Sequence, residues 1–88
     1  MREKQIERKL SITAKNMGGI APKFVSPGFD GMPDRIVLFP HGRLAFIELK
    51  APGKKLRPLQ EKRKRQLEAL GFSVFVIDSI EQIGGILD

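Results

Sequence analysis

Hydrophobic spacing changes character several times along the chain. Between residues 2 and 17, Ile6, Leu10, Thr13 and Met17 fall on one stripe of a helix, and Gly18 and Gly19 end it. Residues 20–25 (IAPKFV) are apolar but short, and Pro22 restricts them to an edge or irregular strand. Residues 35–39 (RIVLF) and 43–49 (RLAFIEL) are rich in β-formers, with Pro40, His41 and Gly42 between them as a turn signal; together they predict a β-hairpin. Helical spacing returns from about Pro58, a residue favoured at helix starts, to Leu70, and Gly71 is the stop. Leu59, Leu67 and Leu70 share a face of that helix, with Gln60 at its border. Residues 72–77 (FSVFVI) predict a buried strand. Ser79 and Gln82 then have capping-box spacing ahead of a last helix, weakened by Gly84 and Gly85, whose apolar face is Ile80, Ile83 and Leu87.

The order is helix, short strand, hairpin, helix, strand, helix. It predicts an α/β fold: a small mixed β-sheet flanked by helices, with a parallel crossover from 43–50 through the long helix to 72–77. Residues 1–88 form one domain, with no repeat, linker or low-complexity segment.

The hairpin brings charged residues to positions where a hydrophobic strand pair does not need them. If the turn centres on His41, paired residues have numbers summing to 82, and Asp34 lies opposite Glu48. Period two puts Lys50 on the same face as Glu48. Opposed carboxylates about 4.5–5.5 Å apart repel. A hard divalent cation with oxygen ligands would make the pair tolerable. The preceding loop, Ser26 to Pro33, carries two prolines and two glycines, a composition suited to a close backbone approach as well as to a plain connection. Glu3, Glu7 and Ala14 line the border of the first helix's stripe. Glu7 is the acid expected to look over the sheet edge; the plainer alternative is a surface glutamate pairing with Lys4 or Arg8.

Charge adds a partner to this picture. The net charge is +6 and the pI about 10.1, which points to a polyanion such as nucleic acid. Lys54, Lys55 and Arg57 follow closely on Lys50, where a phosphate backbone would pass. Lys62, Arg63, Lys64 and Arg65 are successive on a helix and must point round most of it, so some meet DNA and some only water. There is no Trp or Tyr, and base stacking is not expected to dominate. Cysteine is absent, which excludes disulfides, thiol nucleophiles and zinc–thiolate sites, and the single histidine excludes a His-rich metal centre. No apolar run is long enough to span a bilayer, and residues 1–17 are too charged for a signal peptide; no membrane partner and a cytoplasmic location are expected.

Pro33-Asp34, thirteen residues, then Glu48-Leu49-Lys50 resembles the PD-(D/E)XK nuclease pattern. With Glu7 on the first helix, Gly31-Met32-Pro33-Asp34, Phe46 to Gly53 (FIELKAPG) and downstream Gln60, the chain resembles the VRR-NUC family over almost its whole length. More narrowly it is similar to stand-alone viral and bacterial members. The resemblance implies a restriction-endonuclease-like core and Mg2+- or Mn2+-dependent cleavage of DNA phosphodiesters, with no small-molecule cofactor. It implies Asp34, Glu48 and the Leu49 backbone carbonyl as metal ligands. Glu7 would hold a metal-bound water or a second ion, Lys50 would act as base or orient the attacking water, and Gln60 would support Lys50 or the phosphate. It further implies a homodimer acting on branched DNA, including four-way (Holliday) junctions. Two other readings compete: a basic module that grips DNA without cutting it, and a structural or interaction protein.

Overall fold

The computed structural model describes residues 3–87, and side chains through Gly85. The elements run α1 (Glu3–Asn16), β1 (Arg35–Phe39), β2 (Arg43–Leu49), α2 (Pro58–Ala69), β3 (Ser73–Ile77) and α3 (Glu81–Leu87). They form a three-stranded sheet in the order β1-β2-β3 with helices on both faces. The fold is therefore the small mixed α/β arrangement expected. Residue 2, where the first helix was expected to begin, lies outside the described residues.

The hairpin closes where its sequence says it should. Pro40–Gly42 form a single tight turn, with His41 at φ 68 and Gly42 at φ 73. A glycine is suited to this conformation and histidine tolerates it. Arg35 pairs with Ile47 and Phe39 with Arg43, so the register is that of a turn centred on His41. β2 and β3 pair in parallel, from Ala45 with Ser73 to Leu49 with Ile77, and α2 makes the crossover. The segment 20–25 reaches the outer edge of β1 only through two isolated bridges, Ile20 with Leu38 and Lys23 with Arg35, as Pro22 dictates.

Alternation gives the sheet two different faces. Val37, Ile47, Leu49 and Ile77 pack against Ile6, Leu10 and Ala14 of α1 and Ile83 of α3. Phe46 and Val74 pack against Leu67 of α2, with Phe24, Met32, Ile36 and Leu44 around them. Phe46 meets Phe24 and Phe72 edge to face, with ring centroids 5.8 and 5.6 Å away.

Several burial expectations shift by a position. In α1 the buried stripe is Ile6, Leu10 and Ala14, with Thr13 and Met17 half-buried, because an i, i+4, i+8 row points straight at the sheet. In α2 the buried residues are Gln60 and Leu67, seven apart, whereas Leu59 and Leu70 are exposed. β3 is an outer strand with one neighbour, so Ser73 is exposed and Phe75 and Val76 are half-buried rather than fully enclosed. In the capping segment of α3, the Gln82 Oε1 accepts the N–H groups of Asp78 (2.8 Å) and Ser79 (3.1 Å). Ile83 is fully buried and Ile80 packs against the same cluster; the Leu87 side chain lies outside the described residues.

Candidate active site

Asp34 stands one residue before β1, and Glu48 one residue before the end of β2. Continuing the observed register by one pair sets them opposite each other. The Leu49 N–H donates to Asp34 Oδ1 at 3.1 Å, which ties the acid to the neighbouring strand. The Lys50 N–H donates to the Ile77 carbonyl at 2.9 Å, so the sheet is fixed up to the residue that carries the ammonium. Glu48 is buried among its neighbours, at 6% exposure, and Asp34 is half-buried.

Burial dominates the electrostatics here. It raises the Asp34 carboxyl above its ordinary range, against the Leu49 N–H, which favours the charged form. Glu48 is pushed up to about 7, first by burial and then by the adjacent Asp34 carboxylate, with Lys50 and Arg57 pulling the other way. The ion pairs found among the described residues, Arg35 with Glu7 and Lys64 with Glu68, engage neither acid. Two oxygen donors that repel one another and have no ion-pair partner fit a hard divalent cation. Among the described residues no group of three or more His, Cys, Asp or Glu side chains gathers. A bound ion would therefore complete its shell with the adjacent Leu49 carbonyl, water and substrate oxygens.

The first helix brings two acids to the surroundings of this end of the sheet, Glu7 and Glu3. Glu7 forms an ion pair with Arg35, whose guanidinium also donates to the Ala21 carbonyl at 2.9 Å. This clamp sits on the α1 side of the sheet. Glu3, one turn earlier, is the α1 acid whose charge raises both Asp34 and Glu48. It does so without joining them in a three-carboxylate cluster. The signal for Glu3 was in the chain: it lies four residues before Glu7 on the same border of the stripe, nearer the end of the sheet.

Gln60 is buried at the start of α2, and its Oε1 accepts the Arg57 N–H at 2.9 Å. The residue thus caps the helix, and its amide nitrogen is the end left to donate. Arg57, Pro58, Leu59 and Gln60 line an open cleft of about 620 Å³ with Asp30 and Gly31. Gly31 is required here. Its φ is +87, and a Cβ would come within 2.7 Å of Leu59 Cγ and 2.9 Å of the Leu59 carbonyl oxygen. The glycine lets the loop before Asp34 lie against α2.

The basic residues divide. Lys54, Lys55, Arg57, Lys62 and Arg65 are exposed. Lys64 is half-buried and bonds Glu68 at 3.0 Å. Arg63 holds the loop: it donates to the Asp30 carbonyl (2.7 Å) and Gln66 Oε1 (2.8 Å), and its guanidinium lies 3.8 Å from the Phe29 ring centroid. No helix among the described residues is long and apolar enough to cross a membrane.

Comparison with known proteins bears on the same residues. The family model of the VRR-NUC domain matches residues 4–81. The putative nuclease p44 of Acyrthosiphon pisum secondary endosymbiont phage 1 is 49% identical over 79 residues, which cover 90% of this chain and 85% of that protein. A solved structure described as a VRR_NUC domain superposes with a TM-score of 0.90 at 27% identity, covering 97% of this chain and 92% of that one.

Proposed function

Since the chain belongs to the VRR-NUC domain family, we propose that it is a divalent-metal-dependent endodeoxyribonuclease that cuts branched DNA, four-way junctions among its substrates, as a homodimer. The family and the phage relative's name support a nuclease. The observation that carries the metal-dependent reading is the Asp34–Glu48 pair, two desolvated carboxyls side by side with no ion-pair partner among the described residues.

Asp34, Glu48 and the Leu49 carbonyl would hold Mg2+ or Mn2+, with Glu3 or Glu7 reached through water. The ion, when bound, neutralises phosphate charge and makes a bound water more acidic. The protein's own groups do the rest. The Leu49 N–H holds Asp34 in place. Lys50 shares Glu48's face and is set to orient the attacking water or accept its proton. The Gln60 amide nitrogen is set to donate to a phosphate oxygen, and Arg57, at the cleft, to bind the next one along the strand. Exposed Lys54, Lys55, Lys62 and Arg65 would carry the flanking backbone. A dimer is proposed because symmetric cutting of a junction needs two sites related by a two-fold axis.

The test is cleavage of a labelled four-way junction and of a linear duplex of matching sequence, with manganese and with chelator. Wild type with metal should cut the junction and spare the duplex, and Asp34→Ala or Glu48→Ala should lower the rate by about 10²–10³-fold, as loss of one catalytic group does elsewhere. Equal cutting of both DNAs ends the branch preference. Binding without any cutting ends the nuclease reading and leaves a basic binding module. Light scattering that shows only monomer, free and DNA-bound, ends the dimer.

A further inference from the structure

Beyond the cleft at Gln60, the same loop and the same helix enclose a second and different space. A pocket of about 190 Å³ is lined by Phe29, Met32, Arg63, Gln66, Leu67 and Leu70. Asp30 and Gly31 of the loop line the first cleft, and Phe29 and Met32 on either side of them line the second. Along α2 the residues that line it lie one to three turns beyond Gln60, so the pocket centre is about 10 Å further along the helix axis. A DNA strand running along α2 would span that distance with at most about three nucleotides, the number at the fully stacked spacing of about 3.4 Å.

Its walls suit a flat heterocycle. Phe29 is 47% exposed although the Arg63 guanidinium lies against its ring. The Arg63 guanidinium lies over that ring and is itself held by the Asp30 carbonyl and Gln66, so the stack is built before any ligand arrives. Leu67 and Leu70 close the space with aliphatic surface, and Leu70 is 73% exposed there. The Gln66 Oε1 is taken by Arg63, which leaves the Gln66 amide nitrogen to donate at the edge of the pocket.

We propose that this pocket receives one unpaired nucleobase of the DNA substrate, stacked against the Phe29–Arg63 pair a few nucleotides from the bond that is cut. The proposal rests on the nuclease reading above and gives it a source of structure selectivity. An unpaired base at a branch or gap enters at little cost, whereas a paired base must first be unstacked. Stacking on an aromatic face accepts any base, so selectivity is for DNA shape and not sequence. Charge separates this occupant from a second copy of the chain. Arg63 lines the pocket itself and is in neither of the ion pairs found among the described residues, and the chain carries a net charge of +6. A second copy would bring a second uncompensated cation to the same patch, whereas a DNA strand complements it.

A coupling experiment tests it with full-length protein. Binding is measured by anisotropy, in chelator, to a branched DNA with one unpaired arm, and to versions with an abasic site at each of the first four unpaired positions. Wild type and Phe29→Leu are compared, with melting curves to establish that the variant is folded. One abasic position should weaken wild type by roughly tenfold and weaken Phe29→Leu by less than twofold. Non-additivity of that kind means the base and the ring interact. Equal losses in both proteins at every position overturn the pocket. So does a Leu70→Glu variant that converts a dimer to monomers while no abasic position couples, because the patch is then an interface between copies. Cutting is assayed separately on the same DNA with manganese. Coupling without cutting by wild type leaves the pocket standing and removes the nuclease reading; cutting without coupling does the reverse.

Discussion

On one face of the sheet Val37, Ile47, Leu49 and Ile77 close against α1 and α3; on the other, Phe46 and Val74 meet α2 and the loop before Asp34. The first face is the sealed one: Val37, Ile47 and Ile77 have no exposure, nor have Ile6, Leu10 and Ile83 opposite them. The second row runs on into Asp34, Glu48 and Lys50 and ends in open clefts. Both faces are served by one strand, β2, whose successive residues Ile47, Glu48 and Leu49 alternate between them. A one-residue slip of the hairpin would put Glu48 into the α1 core and Ile47 and Leu49 at the site. Stability and chemistry are thus held in a single register.

The largest expected effect is on the sealed face. Ile47→Ala should cost about 2–5 kcal/mol. In a domain of this size each kcal/mol moves Tm by about 4–8 °C, so calorimetry should show a drop of roughly 10 °C or more. Leu70→Ala, at a residue 73% exposed, should change stability by no more than about 0.5 kcal/mol. Equal losses from the two would erase the distinction between the sealed core and the open pocket that Leu70 lines.

The acids make the same comparison with charge. Glu48 is raised to about 7 from an ordinary value of 4.5. Between those values the folded metal-free protein holds a proton that the unfolded chain has released. Its contribution to stability is complete below about pH 4.5 and is lost as pH rises through about 7. The loss should be at most about 3 kcal/mol. Melting in chelator from pH 5 to pH 8 should show a falling Tm, manganese should restore it at pH 8, and Glu48→Gln should flatten the profile. A wild-type profile already flat in chelator would sink this account. Substituting Glu7 should have the opposite effect on stability, because its cation is in place. Glu7→Gln leaves the Arg35 guanidinium, 7% exposed, without its carboxylate. The variant should be less stable by about 2 kcal/mol, a value between buried and surface pairs, since Glu7 is partly in water. Denaturant titration of both variants at pH 8 in chelator should give shifts of opposite sign.

The hairpin register, the parallel crossover and the pairing of Asp34 with Glu48 were all readable in the chain, because they follow from local signals: a turn of two residues at positive φ, β-rich runs, and period two. What was not readable depended on how helices rotate against the sheet. One residue of rotation exchanges Thr13 for Ala14 in the α1 stripe. In α2 the buried row is Gln60 with Leu67, and Leu59 and Leu70 are left outside. The same uncertainty of a turn covers Glu3 and Glu7, which share one border of the α1 stripe: the charge of Glu3 reaches Asp34 and Glu48, and Glu7 pairs with Arg35. Phe29 was hidden for another reason. Loop composition gives no side-chain direction, and only the bonds from Arg63 set that ring against α2.

The smallest effects belong to the basic run on α2, and they divide it. Lys62 and Arg65 are exposed, whereas Lys64 is half-buried against Glu68 and Arg63 is bonded to the loop. If the exposed pair contacts phosphates, Lys62→Ala or Arg65→Ala should each reduce the slope of log affinity against log salt by about 1, whatever the DNA sequence. Lys64→Ala should reduce it by less, because its charge is already answered by a carboxylate 3.0 Å away. Arg63→Ala should act by another route. Removing it frees the loop that carries Phe29 and Asp30, so binding to unpaired DNA should fall more than binding to duplex, with little change in the salt slope. Four equal slope changes would mean that the run acts as diffuse charge, and that the helix presents no particular side to the DNA.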